Sequence, residues 1–167
     1  MRYKSLVAVA LTATVAMAGS VPAIAGTTSS NISVTATVNA QCTVTTGAVA
    51  FGTYNPLTAT NNDATGSLSV TCTNGTAWTA AAGAGTGTGA TLASRKMKSG
   101  SNQLDYVLYT DSGRTTVWGD GTSSTATVGA TGTGAAQSTT IYGRLPGSQS
   151  NAAVGSYADT VAVTIDF

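Results

Sequence analysis

Three observations predict an all-β fold, an immunoglobulin-like β-sandwich. Beyond the first 25 residues the chain is rich in Thr, Ala, Gly, Ser and Val; Thr and Val favour strands, while Gly and Ser favour turns. No stretch there sustains the i, i+3, i+4, i+7 apolar spacing of an amphipathic helix, whereas seven or eight short segments alternate with period 2. Turn signals separate these segments at intervals of roughly 8–15 residues, as in a sandwich.

Residues 1–25 read as an export signal and not as part of the fold. Arg2 and Lys4 precede an apolar run over 6–17, Gly19 and Pro22 break any helix, and Ala23-Ile24-Ala25 is a small-x-small cleavage site. A run of about twelve apolar residues is too short to span a bilayer, which needs about 20. Removing 25 of 167 residues leaves 142, enough for one domain with a real core. Losing Arg2 and Lys4 takes Lys+Arg from 7 to 5 against 6 acidic residues, a net charge near −1. That balance leaves no basic stripe for a phosphate backbone, so nucleic acid is not an expected partner. The chain has no His and no Glu, which removes the commonest general base near neutrality and a principal zinc ligand. No cofactor or metal is expected.

Taken in order, residues 31–39 open the fold with a half-buried strand. Ile32, Val34, Ala36 and Val38 lie on one side, and Ser33, Thr35 and Thr37 on the other. A short strand follows over 40–44, then another over 48–54 that ends where Pro56 holds Asn55 extended. Residues 58–64 read as a polar loop. Over 67–73, Leu68, Val70 and Cys72 share the inward face. Cys42 and Cys72 are the two cysteines, and in an exported chain they most simply form one disulfide. Closing a loop of about thirty residues stabilises by roughly 3–4 kcal/mol in the chain-entropy model.

Asn74-Gly75 predicts a tight hairpin into a strand over 77–82 that carries Trp78. The glycine-rich run that follows lacks the Lys-Ser/Thr of a phosphate loop and leads into no helix, so it reads as a loop. Residues 91–97 and 104–110 form a second expected hairpin, with Leu104, Tyr106 and Leu108 on one face. Arg95, Lys96 and Lys98 read as the charged guard of an edge strand. Short strands are expected over 117–121, weakly over 125–128, and over 140–145 before Pro146-Gly147. Residues 157–167 give the longest alternation, with Val161, Val163, Ile165 and Phe167 facing one way. The chain ends on that strand, so the sandwich is expected to be one strand short.

The ordered set of segments resembles the spore coat U family, which includes major subunits of archaic chaperone–usher pili. The matching stretches are Val38-Asn39-Ala40-Gln41-Cys42-Thr43-Val44, Phe51-Gly52-Thr53-Tyr54, Leu68-Ser69-Val70-Thr71-Cys72 and Leu104-Asp105-Tyr106-Val107-Leu108-Tyr109. Val117-Trp118-Gly119-Asp120-Gly121, Ile141-Tyr142-Gly143-Arg144-Leu145 and the stretch from Gly155 to Val163 complete the set, while the loops at 83–89 and 129–134 match poorly.

That resemblance implies an incomplete, pilin-type sandwich over 40–167 whose missing last strand leaves an apolar groove, with 26–39 as an N-terminal donor extension. A periplasmic chaperone fills the groove first. At an outer-membrane usher, the donor strand of an identical or related subunit then replaces the chaperone's strand by β-strand addition. Ile32, Val34, Ala36 and Val38 would be the donor side chains. Val161, Val163 and Ile165 would line the acceptor, and Phe167 would bring a terminal carboxylate to a chaperone cation. The implied product is a surface pilus of a Gram-negative bacterium, supporting adhesion and biofilm formation, with no stable membrane insertion after signal cleavage. Head-to-tail contact between unlike surfaces gives an open filament. Burying each large donor side chain contributes about 1.5–3 kcal/mol before ordering costs.

Other readings attach to particular residues. Trp78, Trp118, Tyr106 or Tyr109 would be the stacking platform of a carbohydrate-binding module, but each lies within an alternating segment and reads rather as core. Asp105 with Asp111, or Asp111 with Asp120, would be the carboxylate pair of a hydrolase, but Asp111-Ser112-Gly113 and Asp120-Gly121 are ordinary turn chemistry. A third reading keeps the family and makes the chain a surface-coat component.

Overall fold

The alternation read from the sequence becomes two hydrogen-bonded sheets in the computed structural model, which describes residues 24–167. The export signal read over 1–25 lies, apart from its last two residues, outside the described part. The β unit spans Thr37–Phe167. Its strands are β1 (Cys42–Gly47), β2 (Asn62–Cys72), β3 (Ala77–Ala82), β4 (Arg95–Ser99), β5 (Asn102–Tyr109), β6 (Val128–Thr131), β7 (Gln137–Leu145) and β8 (Val163–Asp166). One sheet has the order β1-β2-β7-β5-β4 and the other β6-β3-β8, with every named pairing antiparallel.

The core lies between the inner faces of these sheets. From the larger sheet come Leu68, Val70 and Cys72 of β2, Leu104, Tyr106 and Leu108 of β5, and Ile141 and Leu145 of β7. They share one cluster with Trp78, Ala80 and Ala82 of β3 and with Trp118. The small Ala80 and Ala82 leave room for the Trp118 indole, whose Nε1 donates to the Ala80 carbonyl at 3.0 Å. Burial of such a ring without that bond would strand a donor in an apolar core. Cys42 and Cys72 are direct cross-strand partners, and their disulfide fastens the edge strand β1 to β2.

Several expected elements differ in the structure. The Asn74-Gly75 turn does not close a hairpin, because β2 and β3 belong to different sheets. A two-residue hairpin of the tightest type needs positive φ at both central residues. Here Gly75 has φ 84 and Asn74 is not in that region, while the Thr76 amide donates to the Thr73 carbonyl at 3.0 Å. The result is a turn of type II character, which splays the flanking strands and carries the chain across the core.

The polar loop expected over 58–64 gives way to β2 from Asn62, where Asp63 lies opposite Arg144 and accepts from it at 2.8 Å on both carboxylate oxygens. Residues 48–54 form no strand. Gly52 takes φ 67, and the Asn62 side-chain amide occupies the Phe51 and Thr53 carbonyls at 3.0 and 3.2 Å. Residues 31–39 also form no strand.

Arg95 is not an edge guard but is fully buried. Its Nε donates to Gly83 O at 2.9 Å, Nη1 to Leu92 O at 2.8 Å, and Nη2 to Trp118 O at 2.7 Å and Ala82 O at 3.4 Å. Its neighbours Lys96 and Lys98 do lie at the edge strand, Lys96 paired with Asp105.

Candidate functional site

Two cavities open along one side of the sandwich, of about 310 and 730 Å³. Both are lined by Val49, Phe51 and Met97, so they form one continuous groove. Its floor is made by buried residues of the core: Leu108, Trp118 and Ile141 at one end, Leu104 and Leu145 at the other.

One wall begins at Thr46 and Gly47 of β1 and continues through 48–54. Although not a strand, this wall is held in place by packing. Val49 and Phe51 lie on the bare backbone of β7, where a Cβ at Gly143 would meet them at 2.6 and 2.8 Å. Val49 also covers Gly66 of β2. The Tyr54 hydroxyl donates to the Pro146 carbonyl at 2.6 Å, and the Phe51 ring meets Tyr106 edge-on at 6.3 Å between centroids.

The opposite wall is the final segment. Val161 and Val163 line the smaller cavity and pack on the core. Ile165 packs on the core beyond the cavity, while Phe167 lies past the end of β8 and is 58% exposed. The alternation read over 157–167 is therefore real on its inward face as far as Ile165, but only Val163–Asp166 is paired as a strand. Upstream, Ala158 exchanges backbone hydrogen bonds with Lys98 of the other sheet at 2.9 and 3.0 Å. The segment therefore changes sheets between Ala158 and Val163. Of the two edges of β8, one is paired with β3 and the other has no strand partner among the described residues.

Asp159 sits at this change of sheets and was not singled out by sequence reasoning. It shares the parity of Val161, Val163 and Ile165, and a carboxylate on the inward side of an alternating segment is the signal that marks it. Its Oδ1 accepts from the Thr86 amide at 2.8 Å, the Thr86 hydroxyl at 2.7 Å and the Thr160 amide at 2.8 Å, and Oδ2 accepts from the Tyr106 hydroxyl at 2.7 Å. Burial alone would raise this carboxyl, but the Thr86, Tyr106 and Thr160 donors outweigh it and hold Asp159 below its usual range. Burial and the adjacent carboxylate both push the Tyr106 phenol above its ordinary value. Burial lowers the Arg95 guanidinium, an effect that Tyr106 and Asp159 partly offset.

The other half of the sequence-derived site lies in residues 24–41, which contain no strand. Ile32 and Val34 are each 88% exposed and Val38 is 82% exposed; Ala36 is exposed as well. Large apolar side chains at this spacing and exposure are unusual on a soluble surface.

The residues of the alternative readings have local employment. Trp78, Trp118 and Tyr106 are buried in the core and offer no stacking face. Asp111 accepts from the Thr115 and Thr116 amides and Asp120 from Thr122, each closing its own turn. Among the described residues no three His, Cys, Asp or Glu side chains gather as metal ligands, and no helix is long and apolar enough to cross a membrane.

Comparison with known proteins places this architecture. A structure of the CsuC–CsuE chaperone–tip adhesion subunit pre-assembly complex, from the archaic chaperone–usher Csu pili of Acinetobacter baumannii, superposes with a TM-score of 0.58 at 23% identity. The match covers 78% of this chain and 40% of that one, so this chain spans less than half the length of that relative, and the fold is of the pilin type. Protein U of Myxococcus xanthus is 36% identical over 175 residues, which cover 95% of both proteins. The model of the Spore Coat Protein U domain matches residues 28–164, nearly all of the described chain, and this chain belongs to that family.

Proposed function

We propose that this chain is a structural subunit of a surface fibre, built by donor-strand complementation on the chaperone–usher route. The observation that carries the reading is an open apolar groove beside an unpaired strand edge, in a chain that also holds an exposed segment of alternating apolar residues. Residues 26–39 are the donor extension, with Ile32, Val34, Ala36 and Val38 as its plugs, and 40–167 is the acceptor domain. Val161, Val163 and Ile165 form the acceptor face, and Phe167 stands at its end for contact with a chaperone. Main-chain hydrogen bonds to β8 supply affinity, and the plugs entering the groove supply specificity.

A periplasmic chaperone, an outer-membrane usher and further copies of this chain or related subunits are the partners. Export through the 1–25 signal and a place on the cell surface follow, with adhesion and biofilm support as the fibre's roles. The likeness to a subunit captured with its chaperone supports the route. The chemistry of the groove in this reading is that of strand addition.

Membership of the Spore Coat Protein U family, with 36% identity to Protein U of Myxococcus xanthus, favours one second reading, a coat component laid down by the same strand exchange. Expression of the exported chain with and without residues 26–39 tests the common core of both readings. The truncated form is expected to be unstable alone and to regain cooperative unfolding when a peptide of that sequence is added. An unchanged midpoint on truncation, together with a full chain that never polymerises, overturns it.

A further inference from the structure

We infer that Ala36 of the incoming strand, matched to Val49, Phe51 and Met97 of the groove, sets the register of strand addition; this rests on the strand-addition reading above. The main chain cannot set it. The Gly83 amide donates to the Ala162 carbonyl at 2.9 Å, and Ala81 lies opposite Thr164. Even-numbered residues of the final segment therefore turn their polar groups to β3, and Val161, Val163 and Ile165 turn theirs to the free edge. Those groups repeat every two residues and are chemically alike. Ile32, Val34, Ala36 and Val38 also share one parity, so a slip of two residues keeps them inward.

The shape of the groove makes the choice. Val49, Phe51 and Met97 line both cavities, so they stand where the smaller gives way to the larger. The first two are held from behind. A Cβ at Gly143 would meet Val49 at 2.6 Å and Phe51 at 2.8 Å, Val49 also seats on Gly66, and the Phe51 ring rests edge-on against Tyr106. Neither can draw back without losing its seat on the larger sheet. Met97 comes to the junction from β4, where it lies opposite the buried Leu104.

Ala36 is the one small plug of the four. Ile and Val are β-branched and stiff at χ1, so they cannot fold away from a constriction. Alternate residues of a strand lie about 6.6 Å apart. With Ala36 at the junction, Val34 enters the cavity on one side and Val38 the cavity on the other. A slip of two brings Val34 or Val38 to the junction and leaves only the Ala36 methyl to fill a cavity. Overpacking and a void both destabilise, so the slipped registers are expected to be about tenfold weaker.

The test uses the exported full chain, isotope-labelled, with an excess of a synthetic peptide of residues 28–40 that carries a spin label at one end. Paramagnetic broadening of backbone amides reads the register. The unaltered peptide is expected to give one broadening pattern. A peptide with Val34→Ala and Ala36→Val together keeps composition and parity but carries its small plug two residues earlier, and its pattern is expected to be displaced by two residues. An unshifted pattern, or no binding by this second peptide, overturns the inference and leaves strand addition standing. Failure of the unaltered peptide to bind overturns strand addition and this inference with it.

A second measurement places the match at the junction. A peptide with Ala36→Val alone is expected to bind about tenfold more weakly than the unaltered one. Met97→Ala in the full chain widens the junction and is expected to restore most of that loss. Equal affinity of the two peptides for the unaltered chain, or a loss that a folded Met97→Ala variant leaves unchanged, would overturn the inference.

Discussion

The Tyr106 hydroxyl donates to Asp159 Oδ2 at 2.7 Å, tying a floor strand of the five-stranded sheet to the segment that leads into the three-stranded one. With the two sheets joined at this point, the groove wall is fixed by a polar contact set into an otherwise apolar surface. A partly buried polar contact of this kind is costly to break, because removing one partner leaves the other unsatisfied.

Acid should expose that cost. Asp159 is held below its ordinary range, first against burial and by virtue of its Thr86, Tyr106 and Thr160 donors. Asp63 is likewise lowered, chiefly by its bond to Arg144. A carboxylate depressed on folding contributes stability that is present above its unfolded pKa, near 4, and is lost as pH falls through the lower folded value. With no His in the chain, no side chain of ordinary pKa titrates between pH 5 and 8. Melting temperature is expected to be flat across that window and to fall below about pH 4, with a shallower fall in Asp159→Asn. A decline that begins at pH 6 would contradict this assignment.

The disulfide holds the edge strand that starts the groove wall. Replacing both Cys42 and Cys72 with Ala is expected to lower unfolding free energy by about 3–4 kcal/mol, a little more with the packing lost at the buried Cys72. Urea unfolding of the oxidised, reduced and doubly substituted chains measures it, and the reduced and substituted forms should nearly coincide. A loss under 1 kcal/mol would mean that the pairing of β1 with β2 is sufficient by itself.

Arg95 serves as an internal cross-brace. Its guanidinium satisfies carbonyls at the end of β3, in the following loop and at Trp118. Arg95→Ala leaves these acceptors unpaired, each at about 1–3 kcal/mol, and the variant is expected to be largely unfolded or to melt far below the unaltered chain. Arg95→Lys restores the charge but not the planar fork, and should recover only part of the difference. Thermal melts of the two variants beside the parent check the order.

Glycine at 143 is needed for close approach and not for backbone freedom. A methyl there meets Val49 and Phe51 at van der Waals overlap, so Gly143→Ala should push the 48–54 wall away and destabilise by about 1–3 kcal/mol. Peptide affinity is expected to fall with it, because the wall contributes one side of the groove. Val49→Ala in the same background relieves the overlap, and its partial recovery of stability in a double-mutant cycle would identify the contact.

Much of the sandwich was legible because its strands alternate cleanly. The inward set of β2, the shared face of Leu104, Tyr106 and Leu108 in β5, the pairing of Cys42 with Cys72 and the two-layer class all follow from period 2 and the cysteine count. Legibility failed where a tertiary partner replaced a local rule. The Asn74-Gly75 pair specifies a turn but not its type, and the φ at Asn74 decides whether the chain folds back or crosses to the other sheet. Residues 48–54 look like a strand until the Asn62 side chain takes two of their carbonyls. Basic residues at 95, 96 and 98 read alike in sequence, yet strand parity sends Arg95 inward and Lys96 outward. The run over 157–167 reads as one strand in sequence, but its backbone is shared between two sheets. Apolar residues at 31–39 specify a face, and a face becomes a strand only when it finds an edge.

The most direct measurement asks where residue 34 goes in the assembled state. Fibres would be isolated from cells producing a mixture of unlabelled and 15N-labelled chains, with a photo-activatable leucine analogue replacing Val34. After irradiation and digestion, mixed-isotope peptides report contacts between copies. The account predicts adducts joining position 34 of one copy to residues 46–51 or 159–163 of another. Adducts that arise only within one copy, or between copies only outside the groove, would contradict it.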